Sequence, residues 1–193
     1  NTQDQHIHLP NQVEFTEHDL LEAGKAIGSV RAGHITLCQE AGITLDDIRT
    51  AYMSGASGTY VDAHKAQELG MIPAGVTTIH QVGNTSLAMA RDMARDPKAL
   101  WHMKAIAEEL RQHHCMFASS KTFEKVYILE LAYWTEGMPF RQYQKFLHKY
   151  NIPTFQDQVV SAPQVIKKFQ KDIPDLGTMG LSIIQDIGLK KVI

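Results

Sequence analysis

The sequence predicts an α/β fold with a mostly helical second half, and three observations carry that prediction. Short apolar runs at residues 48–53 and 76–82 alternate with segments whose apolar residues recur every three or four positions. The stretch 48–62, IRTAYMSGASGTYVD, sets the first run directly against a turn bracketed by Gly55 and Gly58 and then a helix start. Beyond residue 84 the helical pattern dominates, so the sheet belongs mainly to the first half and a helical layer follows.

The elements follow in order. Residues 12–15 make a short strand, and Thr16 with Asp19 three positions on forms a capping box that opens a long helix. Leu20, Ala23, Ile27, Val30 and His34 recur along it at helical spacing, and Gly42 closes it. Gly24 and Gly28 inside this helix cost about 1 kcal/mol each relative to alanine, which points to a second helix backbone passing close by. After the 48–53 strand and its turn, Asp62 caps a short helix ending at Leu69-Gly70, with Pro73 beyond. Residues 76–82 form a second strand, Asn84 caps a helix to about Arg95, and Asp96-Pro97 opens the next. In that helix Leu100, Met103, Ala107 and Leu110 form an apolar stripe suited to core packing.

Residues 115–118 read as an edge strand. Ser120 opens a helix carrying Phe123, Val126, Tyr127, Leu131 and Trp134, stopped by Gly137-Met138-Pro139, and a further helix covers 141–149. From residue 151 the pattern weakens, with helical signals at 164–171 and 181–186. Residues 1–154 are therefore read as one lobe and 155–193 as a helical linker or tail.

Composition narrows the function classes. At 193 residues, with 44% hydrophobic and 21% charged, the chain has the balance of an ordinary globule. A formal net charge of −2 gives no electrostatic reason to expect nucleic acid or an acidic membrane as the main partner. Without a bilayer-length apolar run or a signal-like start, the expected location is cytoplasmic. The two cysteines, Cys38 and Cys115, are far apart and make no CxxC, so neither a disulfide framework nor a metal or cluster site made by this chain alone is expected. A start at Asn1 and an apolar, basic end read as a piece of a longer protein.

The glycine-bracketed turn carries the strongest chemistry. Gly55 and Gly58 lack the β-carbon that would hold a phosphate, ribose or base away from the backbone, while Ser54, Ser57 and Thr59 add small hydroxyls. Ligands of open α/β sheets sit at the carboxyl ends of strands, where this turn lies. On local pattern alone, an ordinary strand-to-helix turn stays open beside the ligand cradle. His113-His114-Cys115 is a poor metal set, because neighbours on a strand point to opposite faces, and the spacing of the 55–58 turn is not that of a hydrolase GxSxG elbow.

Taken in order, TEHDLLEAGKAIGSVRAG, AYMSGASGTYVDAHKAQELGMIP and VGNTSLAMA resemble the C-terminal half of the ATP-dependent reductive activators of corrinoid proteins. Their fold is that of the sugar kinase, actin and heat-shock chaperone (ASKHA) superfamily. The resemblance runs from about residue 13 to 140 and is strongest toward activators serving methylamine methyltransferase corrinoid proteins in methanogenic archaea.

The resemblance implies a partial actin-like ATPase lobe and a set of roles. Gly55, Ala56, Ser57 and Gly58 fall on the adenosine motif, where backbone packs against the adenine and ribose of ATP, with Thr59 and Tyr60 just after it. Relatives usually carry a second glycine and an aromatic residue where this chain has Ala56 and Ser57. Glu22 and Lys25 occupy helix positions that face the nucleoside in chaperone members, and Gly24 matches the small residue where this helix crosses a partner in the other lobe. The phosphate loops and metal-coordinating acid of the superfamily lie upstream of this chain. ATP, with Mg, and an iron–sulfur cluster are thus implied for the intact protein, the cluster in a domain beyond the tail and not bound by this chain. The implied partner is the corrinoid protein of a methyltransferase system, whose Co(II) is reduced to Co(I) for methylamine methanogenesis. Two rivals stay open: a docking module for the corrinoid protein that has lost nucleotide binding, and a sugar kinase or chaperone of the same superfamily.

Overall fold

The computed structural model describes residues 7–150, 152 and 162–168, which divide into two compact units. In chain order the elements are β1 (Ile7–Leu9), β2 (Val13–Phe15), α1 (Glu17–Ala41), β3 (Thr50–Ser54), α2 (Gly55–Tyr60), α3 (Ala63–Glu68), β4 (Thr78–Gly83), α4 (Thr85–Arg95), α5 (Lys98–Arg111), α6 (Lys121–Thr135), α7 (Phe140–Lys149) and β5 (Gln164–Lys167). One unit contains β1, β2, α1, α6, α7 and the segment Leu69–Pro73; the other contains β3, α2, α3, β4, α4, α5 and β5.

In the helical unit, β1 and β2 pair antiparallel as a small hairpin. The capping box predicted for α1 forms: the Thr16 hydroxyl accepts the Asp19 N–H at 3.2 Å, and the Asp19 carboxylate accepts the Thr16 N–H at 2.9 Å. Gly42, at φ 66°, ends the helix in the left-handed conformation expected of a C-terminal glycine. The buried face is rotated from the predicted stripe. Leu20 is exposed, and the core side is Gly24, Ile27, Gly28, Arg31, Ala32, Ile35 and Cys38. Glycine and arginine carry no apolar weight in a periodicity count, so the true face was hidden.

The two glycines explain that face. A β-carbon at Gly24 would lie 2.9 Å from Thr135 Cγ2 and 3.0 Å from Trp134 Cβ, and one at Gly28 would lie 3.0 Å from Glu130 Cβ. The close approach is therefore made by α6 of the same unit, where the resemblance implied a helix of the other lobe. Between α1, α6 and α7 sits a buried polar cluster that the sequence did not disclose. Arg31 Nε donates to Glu130 Oε2 at 2.8 Å, Trp134 Nε1 donates to the same oxygen at 3.0 Å, and the Tyr143 hydroxyl donates to Glu130 Oε1. Arg31 Nη1 also donates to the Leu69 carbonyl at 3.1 Å, tying the Leu69–Pro73 segment to α1. Glu130 and Tyr143 are fully buried, and Tyr133 stacks on Tyr143 with ring centroids 5.3 Å apart. Residues 115–118 are not a strand; a 3-10 turn at Phe117–Ser119 takes their place, with Phe117 stacked on Phe123 and set against Gly33. The aromatic packing fixes this segment in place of a sheet partner.

The sheet unit is a parallel three-stranded sheet in the order β3-β4-β5. Thr50 pairs with Thr78 and Thr78 with Gln164, and a register shift between Met53 and Ser54 brings Ser54 opposite Gly83. β5 falls where helical signals were read at residues 164–171; the run Gln164–Lys167 instead hydrogen-bonds along the open edge of β4. The signal at 181–186 lies outside the described residues. The caps at Asp62, Asn84 and Asp96 all form, each carboxyl or amide oxygen accepting a backbone N–H within the next three residues. The α5 stripe, by contrast, is not core: Leu100 is 45% and Leu110 59% exposed, Met103 and Ala107 are half-buried, and Ala99 is the residue that this helix buries.

Candidate functional site

The carboxyl edge of the parallel sheet is built from two matching junctions. β3 ends at Ser54 and passes through Gly55, at φ 90°, into α2; β4 ends at Gly83, at φ 69°, and passes through the Asn84 cap into α4. Both glycines occupy the left-handed region, where a side chain would be strained, and Ser54 pairing with Gly83 sets the junctions side by side. The expected turn at 55–58 is thus the first turn of a six-residue helix.

The two bracketing glycines have different jobs. Space is open where a β-carbon of Gly55 would stand. At Gly58 a β-carbon would sit 3.5 Å from the Met53 carbonyl carbon, an ordinary packing contact with β3. Of the two, Gly55 therefore has the open space over its backbone that a close-approaching ligand needs. The Thr59 hydroxyl is turned inward and donates to the Gly55 carbonyl at 3.2 Å, so it serves the helix. Tyr60 is 76% exposed. Ala56 and Ser57 lie within α2. Asp62 caps α3 through the Lys65 N–H, and that backbone hydrogen bond holds its carboxyl below the usual range.

Gln81 is the site residue that sequence reasoning missed. It lies on β4 opposite Met53, 2% exposed, and its Nε2 donates to the Gly58 carbonyl at 3.2 Å and the Val61 carbonyl at 3.0 Å. Two carbonyl acceptors demand the amide nitrogen on that side, so both of its protons are committed. Gln81 thereby clamps the end of α2 to the sheet. A polar residue at an inward position of a central strand, IHQVG, was the available signal. Beside it, Tyr52 and His80 stack across the strands at 4.9 Å.

Glu22 and Lys25 belong to the helical unit, on the exposed side of α1. Lys25 Nζ lies 2.6 Å from Glu22 Oε1, and this hydrogen bond holds the Glu22 carboxyl below its usual range and the Lys25 ammonium above its own. Any nucleoside contact by Lys25 must compete with that pair. Among the described residues no group of three or more His, Cys, Asp or Glu is arranged to hold a metal ion, and no helix is long and apolar enough to cross a membrane.

Residues 2–144 match the family described as the C-terminal domain of RACo, the ASKHA domain. The chain is 45% identical over 177 residues to a Methanosarcina barkeri protein named "[Co(II) methylated amine-specific corrinoid protein] reductase", an alignment covering 92% of this chain and 33% of that protein. The chain thus spans about one third of the length of the curated relative it matches. No solved structure matches it. With most of its length covered by the family match, the chain belongs to the RACo C-terminal ASKHA-domain family.

Proposed function

We propose that this chain is part of a reductive activase that returns the Co(II) corrinoid of a methylamine methyltransferase system to Co(I), and that it supplies the adenosine side of the ATP site. The observation that carries the reading is the 45% identity, across both units, to a reductase named for a corrinoid protein. The Gly55 junction supports the nucleotide part: a left-handed glycine with open space above it, at the carboxyl edge of a parallel sheet, lets adenosine meet backbone directly. Tyr60, one helical turn beyond position 57, offers the aromatic face that relatives of this superfamily place at the motif. Glu22 and Lys25 are the proposed nucleoside-facing pair on α1.

Catalysis is shared with segments outside this chain. The phosphate loops, with their Mg, belong to the other lobe of the ATPase. Two cysteines, one of them buried, cannot supply the four thiolates of an iron–sulfur cluster, so the electron carrier is assigned to a further domain of the full-length protein. In this reading residues 1–154 form lobe structure, to which β5 at Gln164–Lys167 adds a strand, and the chain beyond β5 leads toward that domain. The cytoplasm, where a corrinoid methyltransferase partner would be met, is the proposed location.

Isothermal titration with ATP, paired with amide NMR, tests the assignment. Saturable binding with shifts centred on Gly55 to Tyr60, and no turnover by this chain alone, is the expected result. Full turnover by the chain alone would contradict the division of labour. The docking-module reading keeps one observation in its favour, that Gly58 is spent on packing against Met53. It prevails if ATP leaves the Gly55 to Tyr60 amides unmoved in the full-length protein while the corrinoid protein shifts signals between Trp101 and Trp134.

A further inference from the structure

The outer face of α7 is cationic, and α7 itself carries no acid. Arg141, Lys145 and Lys149 fall at i, i+4 and i+8, so they share one side of the helix, while Tyr143 and Leu147 fill the core from the other. His148 adds a fourth polar, titratable group, and residues 137–156 contain no Asp or Glu at all. All four side chains are exposed, and among the described residues none of the three cations has an ion-pair partner. Arg141 stands in the first turn, where the helix dipole disfavours a cation.

α6 extends the face. Lys125 Nζ lies 5.4 Å and Lys149 Nζ 5.9 Å from the ring centroid of Tyr150, so one aromatic ring gathers an ammonium from each helix. Lys121 is exposed one turn before Lys125, and the nearby exposed acids are Glu124 and Glu136. In a chain whose formal net charge is −2, five cations on two packed helices are a local reversal of sign. Like charges held together repel, and that cost is relieved by an anionic surface brought against them.

We propose that this face, formed by Lys121, Lys125, Arg141, Lys145 and Lys149, is a docking surface for an acidic patch on the corrinoid protein. The proposal rests on the activase reading above, in which the substrate is itself a protein. The cations lie in the helical unit and Gly55 to Tyr60 in the sheet unit, so docking and nucleotide binding use different side chains. Long lysine stems ringed around a tyrosine suit a fast, salt-sensitive encounter more than a permanent interface.

The test is a titration of the cognate corrinoid protein with the full chain, wild type and Lys145→Glu/Lys149→Glu, at low and high salt. The expected result is association slowed about tenfold or more at low salt, a flatter salt dependence, and an unchanged thermal melt. Lys104→Glu/Arg111→Glu, which makes the same change of net charge on α5, should leave the association rate where it was. Equal binding by wild type and Lys145→Glu/Lys149→Glu, or equal losses in both double variants, overturns the proposal while leaving the activase reading intact. No binding by the wild-type chain overturns the occupant proposed here together with that reading. Retention on tRNA or phosphatidylglycerol vesicles as tight as on the corrinoid protein overturns the proposal in favour of a general polyanion surface.

Discussion

Gly55 and Gly58 look alike in the sequence, yet the structure predicts opposite responses to one methyl group. Gly55→Ala puts a β-carbon into a left-handed backbone and is expected to cost about 1–2 kcal/mol, read as a lower urea midpoint. Gly58→Ala meets Met53 at ordinary contact distance inside a helix and is expected to leave the midpoint unchanged or raise it slightly. Gln81→Met removes both donors to the Gly58 and Val61 carbonyls, with an expected loss of about 1–3 kcal/mol. If the amide acts as a clamp, hydrogen exchange should quicken at α2 before it quickens in α4. Uniform quickening across the sheet unit would show that Gln81 serves general packing only. Here the sequence was half legible: a glycine announces freedom, but which glycine faces open space depends on how α2 folds back on Met53, which no local pattern records.

At the level of elements, α1 against α6 is the most demanding contact. Gly28→Ala drives a methyl to 3.0 Å from the Glu130 side chain and is expected to cost about 1–3 kcal/mol, seen in thermal unfolding. Glu130→Gln leaves the Arg31 guanidinium without its carboxylate in a buried setting, a loss of about 3–5 kcal/mol, whereas Arg31→Met/Glu130→Leu removes both charges but strands the Trp134 and Tyr143 donors and should recover only part of it. Helix caps and the long α1 were readable in advance because each depends on residues three or four positions apart. β5 was not, since Gln164–Lys167 becomes a strand only by borrowing the free edge of β4, some eighty residues earlier. The α5 stripe erred in the other direction: periodicity marks an apolar face without stating that anything in reach will cover it.

For the whole molecule, acid and alkali should act through different parts. Asp19 and Asp62 are held below their ordinary value of 3.8, chiefly by the backbone N–H groups of Thr16 and Lys65. Their contribution is complete above that value and is lost as pH falls through the lowered folded values, so acid should fray the starts of α1 and α3. Tyr143 is pushed the other way by burial and by the Glu130 charge, above its ordinary 10.0. Stability linked to it is intact below pH 10 and declines as the unfolded tyrosine ionises above that value, a loss that Tyr143→Phe should abolish in an alkaline denaturation series. The α/β class, the ASKHA kinship and the glycine junction were visible from the chain alone. The buried Arg31 cluster was not, because it needs helices distant in sequence to be brought together; the i, i+4, i+8 cations of α7 can be read locally, but not the Tyr150 ring that gathers Lys125 and Lys149.

Gly24 and Gly28 are one helical turn apart, so the groove they open in α1 nearly repeats itself when the helix slides by about 5.4 Å. Backbone fit alone would accept α6 at either of two positions. The Glu130 carboxylate, held at once by Arg31, Trp134 and Tyr143, breaks that degeneracy, because a slip of one turn would strand a charge in the core. The cluster thus acts as a key that admits one alignment of two otherwise interchangeable surfaces.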